Sequence, residues 1–494
     1  MWTLPRAAAV AIVLMAAQFA TPQAAQTPDA PPSAREQLAR DIDAVLASPG
    51  VTRGTWGIAV RSLDTSESIF EHNARSLLVP ASVAKLAALA AAVDAVGWDF
   101  RFETSLRATG EVVDGVLQGD LIVVGSGDPS IGGRAGEGFA AWVDAIKQAG
   151  ITRVEGRLIG DDDAIDEPRP GAMWAWDDLG YTSGALFGAL NYGENRMLVT
   201  VVPGEPGTPT TLSVPPGAED RPLINRSTTG PAGSPALLWP EQRPGETALT
   251  IAGSLPAGSG SIRMFISAGD PTRWFVRTLG HELRTAGIAV SGGAIDIDDL
   301  SPKPDPSSGR VIYLQQSRSL GELARPMLKD SINLYSEAIF RMSTGLTGGR
   351  TNDEALEALK ERMVSWGLEA DGLQVVDGSG LSRRDGIAAD ALLGVLTRMF
   401  DRTFESPWMT GLPIGGRDGS LVNRLKGGRA ESNVRGKTGT MSNIRSLAGY
   451  VFTRDHEPLA FVILVNNFEG TGQQAQAAID AIAERLANFS RAGT

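Results

Sequence analysis

Ser82 and Lys85 stand three residues apart in Pro80-Ala81-Ser82-Val83-Ala84-Lys85-Leu86, at the head of an alanine-rich apolar run reaching Val96. That run reads as a buried helix, and positions i and i+3 share one helical face, so the amine can reach the hydroxyl. A serine attacks only once a base takes its proton. The three histidines, His72, His281 and His456, sit in no recognisable partner motif, so a Ser-His-Asp triad is poorly supported and a neutral lysine is the alternative base. Its pKa would have to fall from about 10.4 towards neutrality. Partial burial can lower it. A second cation at about 4 Å adds roughly 4 kcal/mol of repulsion at an effective dielectric near 20.

Such a cation is available among only seven lysines: Gly436-Lys437-Thr438-Gly439-Thr440 precedes two apolar runs and has the character of a sheet strand. Lys437 supplies the charge. Thr438 and Thr440, on the alternate face, can hold a carboxylate, and Gly439 lets a ligand backbone approach the strand edge. Ser331-Ile332-Asn333 offers a hydroxyl to relay protons and an amide to bind a peptide group. Each motif alone has an ordinary reading as a helix-face serine, a solvated lysine or a capping asparagine. Three together, in this order and on suitable elements, point to acyl transfer through a serine.

The elements that must position these groups are legible at both ends of the chain. Ser33-Ala34-Arg35-Glu36 is a capping box before Leu38, Ile42, Val45 and Leu46, which form one helical face, and a strand follows over 55–63. Runs at 446–452 and 459–465 form a hairpin, and Ile479, Ile482, Leu486 and Phe489 mark an amphipathic closing helix. This pattern predicts an antiparallel sheet with the terminal helices on one face. The middle is irregular, with an Asp114-Gly115 hairpin turn and a Pro-, Gly-, Ser- and Thr-dense stretch over 203–260, and reads as inserted small β-rich units.

Composition narrows the function. The 494 residues carry 42% hydrophobic and 21% charged side chains and a net charge of −12, against a nucleic-acid protein or a polybasic membrane binder. Without cysteine there are no disulfides and no lipidated-cysteine anchor, and with three histidines a zinc site is not expected. No other cofactor is called for. Arg6, the apolar Ala7–Ala17 and small residues at Ala20, Ala24 and Ala25 read as an export signal over 1–25, too short to span a bilayer, which takes about 20 apolar residues. No later segment is long enough to span.

These motifs together resemble the low-molecular-mass (class C) penicillin-binding proteins, which are D-alanyl-D-alanine carboxypeptidases and endopeptidases. Asp377-Gly378-Ser379-Gly380-Leu381-Ser382-Arg383 is similar to a specific signature of that family. Gly125-Ser126-Gly127-Asp128-Pro129-Ser130 and the segment from Ala189-Leu190-Asn191 to Glu194-Asn195-Arg196 are similar to blocks of its inserted region. The 246 positions from Lys85 to Ser331 also separate the chain from β-lactamases, where that spacing is a few tens.

The resemblance implies an α/β (α+β) fold: a penicillin-binding-protein/β-lactamase-like transpeptidase domain over 26–98 and 268–494, an inserted domain at 99–202 and a nested β-rich domain at 203–267. It implies Ser82 as nucleophile, Lys85 as base, Ser331 as proton relay, and Asn333 and Lys437 in the same site. Thr438 and Thr440 would hold the substrate carboxylate, with the Thr440 N–H in the oxyanion hole. Asp178, or its neighbour Asp177, and Arg383 would meet a diaminopimelate side chain. The implied partners are peptidoglycan stem peptides, with β-lactams as inhibitors. The implied location is the periplasm, or outside a cell lacking an outer membrane. A β-lactamase-like hydrolase and a catalytically silent cell-wall binding protein are the competing readings.

Overall fold

The computed structural model describes residues 33–492 except 167–170, 172, 219–220, 244–245, 247, 347–348 and 350. The signal-peptide reading at 1–25 therefore lies outside the described residues. Among these, no helix is long and apolar enough to cross a membrane.

The two ends of the chain build one antiparallel sheet from β1 (Thr55–Ser62), β2 (Ser68–His72), β3 (Arg435–Met441), β4 (Ile444–Phe452) and β5 (Pro458–Asn466), in the order β2-β1-β5-β4-β3. N- and C-terminal strands thus meet at its centre, where β1 pairs with β5 from Thr55↔Asn466 to Ser62↔Leu459. The strands β4 and β5 are buried along nearly their whole length, so both faces must be covered by helices.

One face is covered by α1 (Ala34–Leu46) and by the closing helix Gly472–Asn488, whose Ile42, Ile479, Ile482 and Leu486 pack on Ile58, Phe461 and Ile463. The other face carries α2 (Ala84–Val96), α3 (Leu320–Lys329), α4 (Asn333–Arg341) and α5 (Ala389–Met399). Helix α2 is buried on nearly every side from Ala84 to Ala92 because alanine lets neighbouring helices and the sheet approach it closely. The α+β architecture and the terminal helices on one face agree with the sequence pattern.

The inserted part forms its own layers. A five-stranded mixed sheet is ordered 294–296, 158–161, 121–124, 103–108, 310–316. The helix Pro271–Thr285 packs on this layer, where Phe275, Val276, Leu279 and Leu283 bury against Phe139, Trp142 and Leu158. Likewise Arg196–Val202 pairs with Ile262–Ser267, so the nested β-rich part starts before residue 203.

Candidate active site

The nucleophile candidate sits on a tight turn feeding α2. Ala81–Val83 is one 3₁₀ turn, and Ala81 adopts φ +50°, a strained conformation for a residue with a Cβ. Two glycines make room for this turn. A Cβ on Gly380 would lie 2.1 Å from the Ala81 carbonyl oxygen. One on Gly439 would lie 2.1 Å from Ser446 Oγ and 2.7 Å from the Pro80 carbonyl oxygen, which Ser446 itself holds at 2.7 Å. Gly439 is thus required by the nucleophile turn behind it, whereas the sequence suggests a role towards a ligand in front.

Lys85 is fully buried, and its ammonium donates to Ser82 Oγ at 3.0 Å, Asn333 Oδ1 at 2.7 Å and the Ser379 carbonyl at 2.6 Å. Burial pushes its pKa down to about 8, while the charges of Asp377, Glu337 and Asp385 pull it back up. Of the two causes expected to lower Lys85, burial is the larger. Lys437, also fully buried, is pushed well below its ordinary value by burial and then by the charge of Lys85, so the two amines repel each other. It donates to Ser331 Oγ at 2.8 Å and to the Thr438 carbonyl at 2.8 Å.

Ser331 adopts φ +61°, and the residues before it are held from two sides. Lys329 Nζ contacts both Asp418 oxygens at 2.7–2.8 Å, and Asp330 Oδ2 lies 3.0 Å from Arg134 Nη1 of the inserted part. Asn333 opens α4, and its Nδ2 donates to the Ser183 carbonyl at 2.8 Å, again from the insertion. The structure thus brings Ser82, Lys85, Ser331, Asn333 and Lys437 into one cluster. Thr438 is buried and Thr440 exposed on edge strand β3.

The signature heptapeptide frames this cluster. Asp377 Oδ1 accepts from the N–H groups of Ser379 and Gly380 at 3.1 and 2.6 Å, and its Oδ2 accepts from Ser382 N at 2.8 Å and Trp174 Nε1 at 2.7 Å. This turn aims the Ser379 carbonyl at Lys85. Glu337 Oε2 accepts from Gly378 N at 3.2 Å, and burial followed by the Asp377 charge pushes its carboxyl up to about 7. Glu337 lies one turn after Asn333 on α4, a spacing that could have marked it from sequence. Ser379 stands in the signature heptapeptide without a marked role of its own, and the positions of Ser183 and Ser420, whose Oγ lies 2.6 Å from Thr438 Oγ1, carried no such signal.

The two residues expected to meet a substrate side chain are less tightly held. Asp178, half-buried, is pushed up by burial and by Asp177 and drawn down by the Arg383 charge, so the two are within electrostatic reach. Among the described residues no direct ion pair joins them, and both Asp177 and Arg383 are exposed.

The sequence pattern of the D-Ala-D-Ala carboxypeptidase 3 (S13) family matches residues 38–489. A D-alanyl-D-alanine carboxypeptidase of Actinomadura sp. is 30% identical over 472 residues, covering 92% of this chain and 85% of that protein. The D-alanyl-D-alanine carboxypeptidase DacB of Haemophilus influenzae is 24% identical, covering 83% and 85%. The crystal structure of penicillin binding protein 4 (dacB) from H. influenzae superposes with a TM-score of 0.79 at 22% identity, covering 92% of this chain and 99% of that one. The same protein complexed with a β-lactam gives 0.73 at 21% identity, covering 90% and 98%.

Proposed function

The chain belongs to the D-Ala-D-Ala carboxypeptidase 3 (S13) family and is a serine-type D-Ala-D-Ala carboxypeptidase, and from that premise we propose that it acts through an acyl-enzyme on Ser82 in the cell wall of the exporting cell. The observation carrying this reading is the Lys85 ammonium, fully buried, with a pKa near 8 and 3.0 Å from Ser82 Oγ. A lysine so tuned is neutral often enough near pH 8 to take the serine proton.

In the proposed cycle Ser82 Oγ attacks the carbonyl of the penultimate D-alanine while Lys85 takes its proton. The N–H groups of Ser82 and Thr440 hold the oxyanion, where preorganised donors act most strongly. The proton reaches the leaving amine through Ser331, which lies 2.8 Å from Lys437. Water then attacks the acyl-enzyme and regenerates Ser82. Asn333 holds the substrate amide, Thr438 and Thr440 its terminal carboxylate, and Asp178 with Arg383 the ends of a diaminopimelate side chain. The substrates are peptidoglycan stem peptides, and cross-links ending in the same D-alanyl bond are open to the same chemistry. β-Lactams, one of which is bound in a solved relative, would acylate the same serine. The catalytic unit would comprise the parts flanking the insertion, with the insertion extended to about residue 316.

Mass spectrometry after incubation with benzylpenicillin tests the reading: one stable adduct on Ser82 is expected. Rapid turnover without an adduct would favour a β-lactamase-like hydrolase, and no reaction a binding protein. Digestion of purified muropeptides should release D-alanine.

A further inference from the structure

Edge strand β3 is covered along only part of its free side. The Gly436 N–H donates to the Pro413 carbonyl at 3.0 Å, and Ile414 bridges to Arg435, so the segment 412–414 closes the first part of that edge. The chain then turns away through Asp418 and Gly419 and sets Ser420 beside Thr438, with 2.6 Å between the two hydroxyl oxygens.

The placement of Ser420 is enforced from behind. Asp418 is held by the buried Lys329, which also donates to the Leu412 carbonyl at 2.6 Å, and Asp418 accepts the Ile414 N–H at 2.8 Å. Gly419 has φ +55°, and a Cβ there would lie 2.8 Å from the Lys329 carbonyl oxygen. The turn presenting Ser420 is thus fastened to the backbone two residues before Ser331. Ser420 is itself exposed, while Thr438 is nearly buried.

A hydroxyl carries one proton and two acceptor lone pairs. When two hydroxyls bond to each other, one proton is consumed between them and the other remains to be donated outward. A carboxylate, which only accepts, selects whichever order aims that remaining proton at it. We propose that Ser420 is a positioning residue of the carboxylate subsite. With Thr438 it forms a hydroxyl pair that directs one proton to the carboxylate beside the scissile amide, favouring leaving groups that carry that charge. This deepens the reading of Thr438 and Thr440 as the carboxylate-binding residues and rests on it.

Ser420→Ala should lower kcat/KM on an acyl-D-alanyl-D-alanine peptide about 10-fold, the scale of one hydrogen bond to a charged group. The same peptide ending in a carboxamide should lose less than twofold. Ser420→Thr should restore the carboxylate substrate. In a Thr438→Val background the Ser420→Ala change should cost nothing further on the carboxylate peptide, since the pair is already broken. Additive losses in that cycle would overturn the inference, as would an unchanged rate in Ser420→Ala. Equal losses on both peptides would make Ser420 structural and overturn it too. A wild-type protein that is acylated by penicillin but indifferent to carboxylate against carboxamide would instead overturn the subsite reading beneath it.

Discussion

The inserted part meets the catalytic unit in two contrasting ways. At Trp174, Ser183 and Arg134 it makes hydrogen bonds or ion pairs of 2.7–3.0 Å to Asp377, Asn333 and Asp330, residues that shape the centre around Lys85 and Ser331. A few residues away Asp178 faces Arg383 with a charge felt at a distance and no direct bond. The first set is satisfied without a ligand, so it serves rigidity. The second is not tied by a direct bond, which the proposed contact with a zwitterionic side chain requires.

Breaking the centre should have the largest effect. Ser82→Ala should abolish peptide hydrolysis and penicillin labelling with the thermal transition unchanged, and labelling on another serine would refute the assignment. Lys85→Ala should slow acylation by about 10²–10⁴-fold, the usual share of a general base.

Charge changes around Lys85 should move its titration, not only the rate. With the neutral amine as the proposed base, acylation should rise with pH through a limb near pH 8. The Glu337 charge raises the Lys85 pKa, so Glu337→Gln should move that limb to lower pH. Lys85 and Lys437 repel each other, so Lys437→Ala should cut the rate and move the limb to higher pH. Stopped-flow acylation profiles would separate the two. An unmoved limb in Lys437→Ala would mean that the two amines are not coupled.

The tight contacts of the insertion come next. Trp174→Phe keeps the packing but removes one donor from buried Asp377, and should cost about 1–3 kcal/mol of stability, read by denaturant unfolding. No change would mean that the contact is ornamental.

The smallest and most selective effect belongs to the open pair. Asp178→Ala should reduce kcat/KM about 10-fold on diaminopimelate-containing peptides, within the range for one charge-assisted contact. Penicillin acylation, lacking that side chain, should stay unchanged. Equal losses on both would make Asp178 structural and sharpen attention on Asp177.

The contrast also marks what sequence reading could reach. Ser82, Lys85, Ser331, Asn333 and Lys437, which the structure clusters, were legible as motifs because four of them stand on helical turns or a strand and Ser331 lies two places before Asn333. Helix 271–285 shows an equally clear amphipathic face, yet the sequence could not say that it packs on the inserted sheet, since periodicity says that a face is buried and not against what. Gly439 was noticed for the wrong neighbour: its Cβ clash is with Pro80 and Ser446, one far away in the chain and the other on the next strand.

By itself the amino-acid sequence determined the chemistry on offer, a serine, two lysines and an amide on elements that can carry them, because hydroxyls, amines and helical or strand periods are local properties. Only the tertiary structure decided that burial tunes Lys85, that Lys437 is buried beside it, and that Ser379, Glu337 and Ser420 join the site. Desolvation and hydrogen-bond partnership depend on what the folded chain places within a few ångströms, and residues 82, 331, 379 and 437 become neighbours only when the sheet closes around them.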